Sequence, residues 1–207
     1  MNKIYSEMDL DNIPWNVETP PEMLQDLIRS KKLPPCKIIE LGCGVGNYVR
    51  YFSKMGFDAT GVDVSEKAIE IARELAHKAD VTCEFIVADV LGDMSDIKKK
   101  YDFAYDWELL HHIFPEDRKI YIENIHRLLK KQGRYLSVCF GEASTQFGGV
   151  GKYRKTPIGT VLYFSNEAEI ESLFSRLFYV EELKSVDIKA KRGLHKAIYA
   201  LMSRKNG

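Results

Sequence analysis

The feature that most narrows the fold is the run Lys37-Ile-Ile-Glu-Leu41, followed at once by Gly42-Cys-Gly44-Val-Gly46. A short apolar run that ends in alternating glycines reads as a buried strand turning sharply into a helix, here expected from Asn47 to about Met55. Glycines let the main chain enter left-handed conformations and let a ligand approach the backbone closely. The pattern then repeats. Asp58–Asp63 reads as a second buried strand, and Ser65 caps a helix with Ala68, Ile71, Ala72, Leu75 and Ala76 on one face. A third strand runs through Cys83–Val87 towards Asp89, and a fourth spans Tyr101–Asp106. A helix over Pro115–Lys130, with Gly133 just past its end, leads to a fifth strand at Arg134–Phe140. Strands and helices alternating through short connections imply an α/β fold with a parallel sheet covered on both faces.

The flanks differ. Ahead of the first strand a helix is expected over Pro20–Lys32, with Thr19 and Glu22 at capping-box spacing and Pro20 at its first position. Residues 1–35 thus read as an N-terminal cap and helix. Residues 141–165, rich in Gly, Thr and Tyr, are too long for a plain connection and read as a substrate loop. A helix at Asn166–Leu177 and two strands near Phe178–Ile188 and His195–Ser203 then close the sheet as a hairpin, which places an antiparallel strand at its edge. With no repeat or linker, residues 1–207 read as a single domain.

Composition excludes several functions. Lys plus Arg total 30 and Asp plus Glu total 30, so the formal net charge is zero. A nucleic-acid partner is not expected, because neutralising phosphates calls for a basic excess. No apolar run approaches the ~18–20 residues that span a bilayer, so no membrane association is expected. The polar, interrupted N-terminus does not read as a targeting peptide, and a cytoplasmic location is expected. Cys36, Cys43, Cys83 and Cys139 are scattered, which predicts reduced thiols and no metal site.

The ligand is read from the acids around the glycines. In the nicotinamide-cofactor fingerprint the third glycine falls one position later than Gly46, and no acid is needed ahead of the turn. Here Glu40 precedes it, a poor neighbour for a pyrophosphate and a good one for an ammonium group. Asp63, with Val64 beside it, ends the second strand, where a carboxylate can accept ribose hydroxyls. Asp89 ends the third, placed to accept from an adenine amine with the Val90 N–H near the ring. All lie at carboxyl ends of neighbouring strands, where open α/β sheets bind ligands.

From Ile38 to Phe140 the chain resembles the class I S-adenosylmethionine-dependent methyltransferases. Glu40, Gly42, Gly44 and Gly46 match their first motif, Asp63 the ribose acid and Asp89 the adenine acid. Asp106 matches the position whose backbone often holds the methionine ammonium. The resemblance implies a Rossmann-like three-layer sandwich with a seven-stranded, mostly parallel sheet of order 3-2-1-4-5-7-6 and strand 7 antiparallel. It implies S-adenosyl-L-methionine as cofactor and S-adenosyl-L-homocysteine as product. Pro14-Trp15-Asn16 with Thr19-Pro20 is similar to the opening of the thiopurine and the thiol or halide methyltransferases, although Val17-Glu18 stands where those often carry Gly-Arg. In that group the Trp segment folds over the cofactor, which gives Trp15 a role beyond stapling the first helix.

Methyl transfer is an in-line displacement, so positioning supplies much of the rate. His111 and His112 follow the fourth strand on the acceptor side and are the candidate general bases, against a packing or capping role. In the stretch Gly151–Thr156, Arg154 would hold an anionic acceptor and Tyr153 would wall the pocket, against a plain solvated loop. Trp107 would shape the pocket, and His195 reads as structural. Asp106-Trp107-Glu108-Leu109 lacks the Asn/Asp-Pro-Pro-aromatic motif of amino-methylating enzymes. A small-molecule acceptor follows, a thiol or other soft nucleophile by preference. Small-molecule or protein O-methylation and a catalytically silent cofactor-binding module are the alternatives.

Overall fold

The computed structural model describes residues 2–191 and 193–206. Its main sheet is built from β1 (Lys37–Leu41), β2 (Asp58–Asp63), β3 (Glu84–Val87), β4 (Tyr101–Trp107) and β5 (Leu129–Phe140), with β8 (Phe178–Ala190) and β9 (Gly193–Arg204). The order is β3-β2-β1-β4-β5-β9-β8. β1 to β5 pair in parallel, and β9 runs antiparallel to both β5 and β8. This is the topology the resemblance implies, with its sixth and seventh strands here numbered β8 and β9.

Both faces of the sheet are buried. Along β4 and β5, alternate side chains point to opposite sides. Phe103, Tyr105, Leu136 and Val138 join one core with α2 (Glu22–Arg29), α3 (Asn47–Lys54) and α4 (Glu66–Lys78). Ala104, Tyr135 and Cys139 join the other with α5 (Arg118–Leu128) and α6 (Glu167–Ser175). Two helices begin with side-chain caps, the first of them expected from the sequence. Ser65 Oγ accepts from Ala68 N at the start of α4. Asn166 and Glu169 form a reciprocal capping box on α6.

Three expectations are corrected. α2 begins at Glu22 after Pro21, with no side-chain cap from Thr19, because a residue ahead of proline is pushed to extended backbone and Pro20 precedes Pro21. Gly133 does not end α5: Leu129 is already extended and pairs with Tyr101, so sheet pairing takes over four residues earlier. The stretch 141–165 contains a hairpin of β6 (Tyr153–Lys155) and β7 (Val161–Tyr163), its ends joined by the Gly141–Ser165 bridge. A helix absent from the sequence reading, α1 (Asn2–Glu7), lies against α4, where Ser65 Oγ donates to Asn2 Oδ1 at 2.6 Å. At the far end of the chain, Lys191 Nζ beside the β8–β9 turn donates to the carbonyls of Asp11 and Ile13. No helix among the described residues is long and apolar enough to cross a membrane.

Gly46 joins the turn to α3 at φ +70°, and a Cβ there would collide with the Phe85 ring. Gly46→Ala is expected to lower stability by about 3 kcal/mol, combining a left-handed non-glycine with overpacking. Urea unfolding checks this through a fall in midpoint at unchanged slope.

Candidate active site

The end of β1 folds back on β2. Gly42 N and Cys43 N both donate to the Val62 carbonyl, at 2.8 and 2.9 Å. Gly44 N donates to Asp63 Oδ2 at 2.9 Å, and Ser65 N donates to Asp63 Oδ1 at the same distance. One carboxylate therefore ties the glycine turn to the start of α4. Beneath the turn lies a cavity of 240 Å³ lined by Glu40, Gly42, Gly44, Asp63, Val64, Asp89 and Val90. Asp89 is exposed and spends one oxygen on Leu91 N.

Glu40 carries the clearest signal of what the cavity takes. It is 5% exposed, and its Oε2 is buried without a hydrogen-bond partner. Burial, reinforced by Asp63, raises its carboxyl well above the usual range. An ammonium group brought to this oxygen would satisfy it.

The N-terminal segment closes the cavity. Trp15 Nε1 donates to Tyr5 OH at 2.9 Å, and the Tyr5 hydroxyl sits over Gly44, so close that a Cβ there would lie 2.8 Å from it. Asn47, the first residue of α3, donates to Asn16 Oδ1 and to the Val17 carbonyl. The sequence assigns no site role to Tyr5 or Asn47, and Asn16 figures there only within the Pro14-Trp15-Asn16 run. Nothing in their local pattern sets them apart, because what joins them is long-range packing.

A second, larger cavity of 680 Å³ adjoins the first. Its walls come from Pro14, the turn carrying His111 and His112, and the 141–165 loop, where Gln146, Phe147 and Lys155 to Ile158 contribute. Phe140 lies between two imidazoles, stacked on His111 at 4.0 Å and on His195 at 4.6 Å. His195, expected to be structural, thus lines this cavity with its Nδ1 buried and unpartnered. Trp15, Glu108 and His112 line both cavities and form the wall between them.

Comparison with known proteins supports the methyltransferase reading. Residues 38–133 match the family model described as a methyltransferase domain. The match agrees with the class I S-adenosylmethionine-dependent methyltransferases that the sequence resembles. The chain is 32% identical to a ubiquinone biosynthesis O-methyltransferase of Pelagibacter ubique, over 50% of this chain and 41% of that one. It is 29% identical to the tRNA N(3)-methylcytidine methyltransferase Mettl2 of Drosophila melanogaster, over 84% of this chain and 58% of that one. The chain therefore spans about half the length of these curated relatives. In fold it is similar to the 1,6-didemethyltoxoflavin-N1-methyltransferase of Burkholderia thailandensis, a structure with S-adenosylhomocysteine bound (TM-score 0.75, 22% identity, 99% of this chain and 85% of that one).

Several of the expected site residues do not line the cavities with their side chains. Gly46 faces the core instead of the cavity. The Asp106 side chain is fully buried on the opposite face of β4, where Tyr121, Tyr135 and Ser137 donate to its carboxylate, so this position offers only its backbone, the part the resemblance assigns to the ammonium, while the neighbouring Trp107 and Glu108 line the first cavity. Tyr153 is exposed against Tyr163 and Phe114. Arg154 is turned inward: its guanidinium stacks on Phe164 and donates to the carbonyls of Glu142, Ser144, Gln146 and Gly151. It braces its own loop, and neither it nor Tyr153 reaches a cavity.

The two histidines stay at the site but are weak bases. Burial lowers His111 well below the ordinary imidazole range and lowers His112 to about 4. Their turn is pinned by buried Arg118, which donates to the Leu110 and Ile113 carbonyls and to Ser165 Oγ. Glu108, quoted in the sequence only for the motif it interrupts, has φ +62°. Burial pushes its carboxyl up to about 7.

Burial also pushes the Asp106 carboxyl up to about 6 from an ordinary 3.8. A raised folded pKa stabilises the protein below the unfolded value, and that stability is lost as pH rises through the folded one. Asp106 is therefore expected to cost on the order of 3 kcal/mol between pH ~4 and ~6. Urea unfolding across that window should show the slope in the wild type and its loss in Asp106→Asn.

Proposed function

We propose that this chain transfers a methyl group from S-adenosylmethionine to a small molecule seated in the second cavity. The observation that carries this reading is the pair of adjoining cavities with a shared wall: one fitted to the donor, the other a roomy, mostly apolar chamber of 680 Å³ that reaches it. S-adenosylmethionine brings a methyl group on a sulfonium and is consumed as a substrate in each turnover.

The chain's part is binding and aim. Glu40 Oε2 takes the ammonium of the methionine portion, since it is otherwise a buried acceptor with no donor. Asp63 keeps acceptor capacity on each oxygen after its bonds to Gly44 and Ser65, and takes the ribose hydroxyls. Asp89 accepts from the adenine amine beside Val64 and the Val90 N–H, while Gly42 and Gly44 line the cavity with left-handed backbone whose missing Cβ positions are taken by Leu109 and the Tyr5 hydroxyl. Trp15, held by Tyr5, closes the donor cavity and keeps water from the transfer axis. The 141–165 loop shapes the acceptor side, the place expected of a substrate loop.

The thiol expected from the sequence is one member of this acceptor class. The O-methyltransferase relative supports another, a small molecule bearing a hydroxyl. The tRNA-modifying relative, which covers most of the chain, supports a nucleic-acid acceptor. Against it stands the balance of 30 basic and 30 acidic residues, which supplies no net attraction for a polyanion.

Calorimetric titration with S-adenosylmethionine, S-adenosylhomocysteine and NAD tests the reading. Both sulfur nucleosides are expected to bind and NAD is not. Asp63→Ala is expected to weaken them by about 10- to 100-fold, the loss of two hydrogen bonds. Incubation of bulk tRNA with tritiated donor should leave the tRNA unlabelled. Binding of NAD in place of the sulfur nucleosides would reject the donor site, and labelled tRNA would reject the small-molecule acceptor.

A further inference from the structure

We infer that Glu108 is the general base of the transfer and that the acceptor is an aromatic ring system bearing an O–H or N–H. The inference rests on the proposed methyl transfer between the two cavities. A methyl group passing from one cavity to the other crosses their common wall, which consists of Trp15, Glu108 and His112. Trp15 has no basic atom, and burial leaves the His112 imidazole a poor proton acceptor at neutral pH. Glu108 is the remaining group.

Its backbone supports a functional role. Glu108 has φ +62°, left-handed for a long side chain, with its N–H held by the Val138 carbonyl at 2.8 Å. Glycine or asparagine suits that conformation far better, so the strain is kept for what the side chain does there. Among the described residues no hydrogen bond satisfies its carboxylate, whereas the carboxylates of Asp63 and Asp106 are both engaged. The titratable groups that line the two cavities with it are Tyr5, Glu40, Cys43, Tyr48, Asp63 and Asp89 on the donor side and His111, His112, Lys155 and His195 on the acceptor side. The three histidines are shifted towards the neutral form, so no imidazolium pairs with Glu108.

The acceptor's chemistry follows from what a carboxylate tolerates beside it. A thiolate next to Glu108 would face a like charge, and its formation would be suppressed. A neutral O–H or N–H donates to the carboxylate and is oriented by it. In the step, the heteroatom's proton passes to Glu108 and its electron pair forms the new bond to the methyl carbon. The S–CH3 bond breaks with its pair retained by sulfur, which leaves a neutral thioether and a protonated Glu108. The ring system is read from the chamber: Trp15, Phe140, Phe147 and Leu162 supply aromatic and apolar wall, and the unpartnered His195 Nδ1 offers a contact for a further polar substituent.

Matched probes test this: 1-naphthol, naphthalene and naphthalene-1-thiol, titrated into protein saturated with S-adenosylhomocysteine, then assayed with tritiated methyl donor. Naphthol is expected to bind at least about tenfold more tightly than naphthalene, one charge-assisted hydrogen bond's worth. Its affinity should rise with pH through about 7 as Glu108 ionises, with naphthalene flat. In Glu108→Gln that rise disappears, and methylation of naphthol falls by about 100-fold or more while S-adenosylhomocysteine binding stays within about twofold. Absence of naphthol binding, binding without methylation, a pH rise that survives in the Gln variant, or faster Glu108-independent methylation of the thiol would each overturn the inference. Failure of the protein to bind S-adenosylhomocysteine at all would instead remove the donor site on which it rests.

Discussion

The bond from the Gly44 N–H to the Asp63 carboxylate holds the site in one piece. Asp63 ends β2, the glycines end β1, and Ser65 starts α4, so a single side chain joins a strand end, a turn and a helix start. A carboxylate is one of the few side chains that can do this and retain lone pairs facing the cavity. Its ionised form is disfavoured by burial and supported by the two N–H donors, which leaves it tuned to a ligand that also donates. Burial of Glu40 is offset chiefly by the neighbouring Tyr105 hydroxyl, and its Oε2 has no hydrogen-bond partner among the described residues, which leaves this end of the donor cavity less satisfied than the Asp63 end.

The acceptor side is governed by its apolar lining. Neutral imidazoles on both faces of Phe140, an arginine committed to backbone carbonyls and a loop tied at Gly141 and Ser165 make a chamber with little charge of its own. In such surroundings a single carboxylate acts at greater strength than it would in water. The inward turn of Arg154 serves the same end, since four carbonyls along 142–151 would otherwise lack donors.

Much of this was legible in the chain. The β1 run with its glycines, the strand ends at Asp63 and near Asp89, the Ser65 cap and the closing hairpin all rest on local periodicity or turn chemistry, and the structure keeps them. The substrate loop was legible from its length, but its hairpin was not, because three-residue strands carry too little pattern. What escaped depends on distant partners. Gly133 looked like a helix terminus until Leu129 found Tyr101, and Tyr5 acquires meaning only beneath Trp15. Asp106 and Glu108 stand two residues apart on one strand end, and no rule of composition says which faces the ligand. Glu108 leaves the strand's alternation by a left-handed residue, a backbone event the sequence does not announce.

The contact between Lys191 and the carbonyls of Asp11 and Ile13 has a consequence in time as well as in space. These groups stand 180 and 178 positions apart, so the roof over the donor cavity meets this anchor only after every strand of the sheet up to β8 has been synthesised. Contacts of such separation carry a high closure cost, and Lys191 is in place only when the β8–β9 turn has formed. Competence to hold the nucleoside is thereby tied to the completed edge of the sheet.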